Sequence, residues 1–168
     1  MTDDTYDAEP ALGTIVEEGR GALPFALVHG EALVACAAWA LGEAGVTAVD
    51  LGTEWTGLVD NGEPFVLHDP LCPMTPSGFV RECVDRVVET GTVVAAVDGA
   101  GVVLSPVVLP GAVVAALPGL PSLDFAELVA RLEEQFPVER VVAPGSAARV
   151  SSVEDVAALE VLTTPEKA

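Results

Sequence analysis

The residues with the most chemistry open to them lie in three places: Glu17-Glu18-Gly19-Arg20-Gly21, His68-Asp69-Pro70-Leu71-Cys72, and the isolated Arg149. A Gly-Arg-Gly step can offer backbone N–H groups and a guanidinium to a phosphate, although such a step is common and its neighbours here are acids. Asp69 has two readings. One is a ligand for Mg2+, which binds through one or two carboxylates and keeps several waters. The other is a loop carboxylate capping the turn before Pro70. His68 reads more readily as a structural histidine than as an acid–base group. Cys72 would need a basic partner to act as a nucleophile, and His68 is the one on offer. Arg149 is either a phosphate contact or half of a surface ion pair. Glu17-Glu18 reads as a solvated pair rather than a metal site.

These residues sit in a very acidic chain. Its 168 residues hold 26 acids against 7 bases, for a formal net charge of −19. Such a charge repels nucleic acid and anionic lipid, and it repels nucleotides and sugar phosphates unless cations are focused at a site. Half the residues are apolar (51%), which suits a folded domain rather than a disordered chain. Three cysteines, Cys36, Cys72 and Cys83, with no CxxC spacing, predict reduced and mostly buried thiols rather than a disulfide framework or zinc site. The opening MTDDTYDAEP lacks a basic region and an apolar run, and no apolar stretch has the length to span a bilayer, so a cytoplasmic protein is expected.

The elements that position the candidate residues follow from hydrophobic period and punctuation. Residues 1–11 read as an acidic tail, 12–162 as one α/β domain, and 163–168 as a frayed end. Strands are predicted at 12–16, 47–51, 64–67, 92–97 and 138–142, and helices at 31–44, 76–90 and 153–161. The first of these helices is apolar nearly all round and is expected to be buried on most sides. Thr75-Pro76 is placed to start the second, as cap and first helical residue. Residues 101–109 are extended, with Pro106 placing them toward a sheet edge or bend. Asp124 precedes the stripe Phe125, Leu128, Val129, Leu132 and reads as a helix cap, and Ser152 to Asp155 as a weak capping box. Alternating strands and helices predict a three-layer, Rossmann-like sandwich around a mostly parallel sheet. Ligands on such sheets bind beyond the carboxyl ends of the strands, which is where Asp69 falls.

The stretch L-H-D-P-L-C-P-M-T-P at 67–76 resembles the H-D-A-A-R-P strand end and following helix start of the 2-C-methyl-D-erythritol 4-phosphate cytidylyltransferases. Leu23 to Val34 resembles that family's P-K-x-G-x-P-L-L segment and first helix. Ser122 to Val129 resembles T-D-D/E-A-x-L-V, and Arg149 to Asp155 resembles the closing K-V-T-x-P-E-D-L. In the family's order, these segments cover most of residues 20–162. The resemblance implies the nucleotide-diphospho-sugar transferase fold. It also implies a reaction that joins CTP to a sugar-alcohol phosphate with release of pyrophosphate, in isoprenoid synthesis. It places Asp69, and with it Asp124 from an acidic pair, toward a catalytic Mg2+. Gly19, Arg20, Gly21 and Arg149 fall toward the phosphates.

The departures from the family bear on activity. The glycine-rich triphosphate loop is reduced to residues 17–21. Phe25 stands where the family has a phosphate-neutralising lysine, and Cys72 where it has the arginine of H-D-A-A-R-P. The V-T-D-T-(I/V)-K segment is not recognisable between Val97 and Pro121, and the dimer arm is expected to be missing with it. Nucleotidyl transfer relies on cations to neutralise developing charge. The one lysine is Lys167, and Arg81, Arg86, Arg131 and Arg140 fall on predicted helix faces or a strand start, leaving Arg20 and Arg149. Expected, then, is a nucleotidyltransferase-like protein of reduced or lost activity that binds CTP or a sugar-alcohol phosphate weakly. The alternative is a non-catalytic structural or regulatory subunit. Such a subunit would form a homodimer, or pair with an active paralogue, through an apolar surface such as 111–120.

Overall fold

A computed structural model describes residues 9–50 and 52–163. The expected acidic tail therefore lies mostly outside the described residues, as do Leu51, Lys167 and all but Thr163 of the expected frayed end. Eight strands and six helices alternate along the described chain: β1 (Ala11–Ile15), β2 (Leu27–Val28), β3 (Glu31–Ala32), α1 (Leu33–Glu43), β4 (Val46–Ala48), α2 (Trp55–Asn61), β5 (Phe65–His68), α3 (Ser77–Thr90), β6 (Val93–Val97), β7 (Val103–Leu109), α4 (Gly111–Ala116), α5 (Phe125–Glu133), β8 (Val138–Val142) and α6 (Val153–Leu162).

Six strands form one sheet in the order β4-β1-β5-β7-β6-β8, with β2 and β3 as a separate hairpin. Neighbours in the large sheet are parallel except around β7, which runs antiparallel to both β5 and β6. The predicted mostly parallel sandwich is what forms. β5 and β6 are buried at every position, as expected of strands covered on both faces. One core gathers Leu67, Ala95, Leu109 and Leu128 with residues of α2, α4 and α5. A second, on the opposite face, gathers Val66, Val94 and Val108 with residues of α1 and α3. Because consecutive side chains of a strand point to opposite faces, β5 feeds both cores, Val66 into one and Leu67 into the other. A smaller cluster, Val28, Leu33, Val150, Val156 and Leu159, seats α6 against β2 and the start of α1.

Several expectations are corrected. The helix predicted from residue 31 begins at Leu33, after the short strand β3. Only Leu33, Ala37, Ala40 and Leu41 of it are buried, while Trp39 is 65% exposed, so its apolar circumference does not translate into burial all round. The 101–109 stretch is no edge: β7 is central and buried throughout. A proline is admitted there because the β6–β7 register shifts between Ala95 and Val97, so its missing N–H falls opposite an irregularity rather than a regular ladder position. The Ser105-Pro106 peptide is cis. Thr75 is not the cap of α3; Pro76 takes that position, and the Thr75 hydroxyl donates instead to the Cys72 carbonyl at 2.8 Å. The 111–120 stretch is not an open apolar surface, since Val113, Val114 and Leu117 are buried in the core. Its residues 111–116 fold as α4, and the carbonyls of Val114 and of Leu117, the residue after the helix, accept from the Trp55 indole at 3.1 and 2.7 Å.

Candidate anion site at the strand ends

Arg20, Asp69 and Arg149 come from three separate segments and meet beyond the carboxyl end of β5. β5 delivers Asp69 immediately after His68, and the Asp69 carboxylate is held facing back by Leu71, whose N–H donates to Oδ1 at 2.9 Å. Its backbone is fixed from the other side. The Asp69 N–H donates to the Ser105 hydroxyl at 2.9 Å, and the Cys72 N–H donates to the Asp69 carbonyl at 2.9 Å. Arg20 leaves β1 through the turn at 17–20 and lies between Gly19 and Gly21, both at positive φ (79° and 64°) where a side chain would be strained. Arg149 precedes α6, in the segment that Val150 pins to the Leu71 carbonyl at 2.8 Å.

Both guanidiniums engage the one carboxylate. Arg20 Nε donates to Oδ1 at 3.2 Å and its Nη2 to Oδ2 at 3.4 Å, while Arg149 Nε donates to Oδ2 at 3.2 Å with Nη2 at 3.1 Å. Most remaining guanidinium N–H groups are spent on carbonyls. Arg20 donates to Glu18 and Leu123, and Arg149 to Val103 and Leu104. Arg20 also lies 5.4 Å from the centroid of the Phe125 ring, within cation–π range. The Asp69 side chain is 4% exposed, Arg20 10% and Arg149 30%. Two guanidiniums against one carboxylate leave one excess positive charge within the cluster, beside a cavity of about 400 Å3 whose lining also carries the carboxylates of Glu18 and Asp124, with Gly19, Leu71 and Ala126.

The other sequence candidates fall differently. Phe25 sits on a 3-10 turn (Leu23–Phe25), 60% exposed, and does not line this cavity. Cys72 is fully buried, and burial pushes its thiol up to about 12, with the neighbouring arginines opposing and Asp69 adding to the rise. It is therefore neither a cation nor a thiolate nucleophile at neutral pH. Asp124 caps α5 by accepting from the Glu127 N–H at 3.0 Å, as predicted. His68 is fully buried, its Nδ1 2.5 Å from the Ser105 hydroxyl. Burial lowers its pKa to about 4 against a smaller opposing pull from Asp69, so the ring is neutral near pH 7. Ser105, Leu123 and Phe125, which shape the site, carry no local sequence signal. They act through a buried hydroxyl, a carbonyl and a ring face, brought in from residues far along the chain.

Asp69 is not free to hold a divalent cation in this arrangement. Both its oxygens already accept from guanidiniums, and Asp124 uses Oδ1 in capping. Among the described residues no three His, Cys, Asp or Glu side chains are grouped to hold a metal ion. An ion placed on Asp69 would sit against two fixed positive charges. A larger cavity of about 620 Å3, lined by Cys36, Trp39, Pro73, Met74 and Leu162 among others, is predominantly apolar and shares no lining residue with the arginine site.

Comparison with known proteins gives matches at the level of structure. No protein-family model matches the chain, and no curated protein matches it in sequence. A solved 4-diphosphocytidyl-2C-methyl-D-erythritol synthase from Anaerococcus prevotii superposes with a TM-score of 0.67 at 12% identity, over 96% of this chain and 99% of that one. The 2-C-methyl-D-erythritol 4-phosphate cytidylyltransferase of Thermus thermophilus gives 0.63 at 18% identity, over 91% and 98%. The chain has the cytidylyltransferase fold. A CMP:2-keto-3-deoxy-manno-octonic acid synthetase complexed with CTP matches at 0.61 and 12% identity, over 92% and 98%. No helix of the described residues is long and apolar enough to cross a membrane.

Proposed function

We propose that this protein binds a nucleotide, CTP first among them, or a sugar-alcohol phosphate through Arg20 and Arg149, and that it performs cytidylyl transfer slowly or not at all. One observation carries the reading. The two cations that sequence analysis left for a phosphate do meet, at the carboxyl end of a sheet strand, beside a cavity. The fold shared with cytidylyltransferases supports CTP as the ligand to try first. Low turnover follows from what surrounds the arginines. Phe25 points to solvent outside the cavity, Cys72 is buried and uncharged, and both guanidiniums are already engaged by Asp69. Removal of one preorganised donor costs about 3–4 kcal/mol of transition-state stabilisation.

Calorimetric titration with CTP, paired with an assay of pyrophosphate release in the presence of 2-C-methyl-D-erythritol 4-phosphate, tests both halves. Saturable binding without release is expected. Release at about 1 per second or faster, within the ordinary enzyme range, would show that the substitutions have been misread.

A further inference from the structure

We infer that Asp69 selects the ligand of this site. Its carboxylate holds both of the guanidiniums that a ligand phosphate must engage, so a multiply charged phosphate draws them off it where a singly charged anion does not. The inference rests on the arginine pocket being a phosphate site. The guanidinium fork fits carboxylate and phosphate oxygens in the same way, two parallel N–H···O bonds at a time. Arg20 makes that pairing with Asp69 now, through Nε and Nη2. Arg149 supplies the second guanidinium, and the carbonyls of Glu18, Leu123, Val103 and Leu104 take most of the donors that Asp69 leaves.

Asp69 cannot swing clear. Its carboxylate accepts from the Leu71 N–H, its own N–H is tied to Ser105, and its carbonyl to Cys72. A ligand must therefore draw the guanidiniums away from a fixed, buried carboxylate. A monoanion exchanges one unit charge for another and gains nothing. Pyrophosphate, or the terminal phosphates of a nucleotide, brings several charged oxygens to the two guanidiniums, and the adjoining cavity of about 400 Å3 has room for them, against the opposing charges of Glu18 and Asp124 on its lining. The same pairing explains why the carboxylate offers nothing to a divalent cation.

The opposite expectation, that Asp69 holds a metal for the ligand, differs in sign and is easily separated. Asp69→Asn keeps the side-chain volume and an oxygen for the Leu71 N–H while removing the charge. Affinity for pyrophosphate, measured by calorimetry without added metal, should rise about tenfold or more, the scale of a charged hydrogen bond freed for the ligand. Without pyrophosphate the variant should melt below the unsubstituted protein, and pyrophosphate should raise its melting temperature by more than it raises that of the parent. Chloride should do neither. Adding Arg20→Met to Asp69→Asn should abolish the gain. Asp69→Ser repeats the charge removal with a smaller side chain, should the asparagine variant fold poorly. If the unsubstituted protein binds pyrophosphate and both Asp69 variants bind it no better, the selection role is overturned and the phosphate site stands. If no form binds pyrophosphate, the phosphate site itself is wrong.

Discussion

At the scale of single residues, the site is an exchange of partners among groups that cannot afford to be alone. Asp69 is nearly inaccessible, and Arg20 only slightly less so. Removing one member of a buried pair leaves an uncompensated charge, which costs about 3–5 kcal/mol. His68 stands next to this cluster and adds a pH dependence of its own. Its folded pKa, about 4, is depressed below the ordinary 6.5 by burial. The unfolded chain therefore takes up the proton first as pH falls. Stability is full above about 6.5, declines between about 6.5 and 4, and is flat in this group below that. The loss should be on the order of 3 kcal/mol. Urea unfolding of the parent and of His68→Gln across that window should give free energies whose difference changes with pH. A constant difference would mean that the imidazole is not held neutral. The carboxylates lowered by their partners, Glu133 beside Arg140 and Asp155 beside Ser151, titrate lower and affect both proteins alike.

At the scale of elements, the sheet was readable in the sequence and the short helices were not. The run at 92–97 announced itself as a continuous apolar, valine-rich stretch bounded by Gly91 and Asp98, and α3 by an apolar stripe repeated over several turns. α2 has 7 residues and α4 has 6, too few turns for a 3.6-residue period to declare itself. They pack on each other and into the core through Leu58, Val113 and Val114, and Trp55 at the start of α2 also meets the Phe65 ring edge-on at 6.1 Å. Gly111 shows how closely this corner is packed, since a Cβ there would lie 2.3 Å from the Gly62 carbonyl oxygen. Trp55→Phe keeps the ring contact and removes the indole N–H from the carbonyls of Val114 and Leu117. It should cost about 1–3 kcal/mol in urea unfolding, and a change of under about 0.5 kcal/mol, the level of a surface substitution, would show that α4 does not depend on that donor. The site was legible in part for a related reason. Asp69, Arg20 and Arg149 could each be picked out by type, but Arg20 and Arg149 lie 49 and 80 residues from Asp69, and no local pattern says that both close on one carboxylate. Pro106 pointed to an edge or a bend, and the edge is excluded because the irregular register that admits the proline belongs to a pairing with β6, not to the strand's own sequence.

At the scale of the whole molecule, charge decides where an anion can go. The formal net charge is −19, and every arginine is paired: Arg20 and Arg149 with Asp69, Arg81 with Asp85, Arg86 with Glu139, Arg131 with Glu127 and Arg140 with Glu133. Of these acids, Asp69 is the one shared between two arginines, so the excess of positive charge among these pairs is at the strand ends. Elsewhere a polyanion meets a surface of its own sign, at distances where salt screens only beyond about 8 Å. Nucleotide binding through this fold therefore stands or falls with two side chains. The most direct measurement is calorimetric titration of CTP into the parent protein and into the Arg20→Met, Arg149→Met double variant, with folding of both confirmed by circular dichroism. The account predicts saturable binding by the parent and a loss of about a hundredfold or more in the variant, as two charged contacts vanish together. Equal affinity in the two proteins would contradict it.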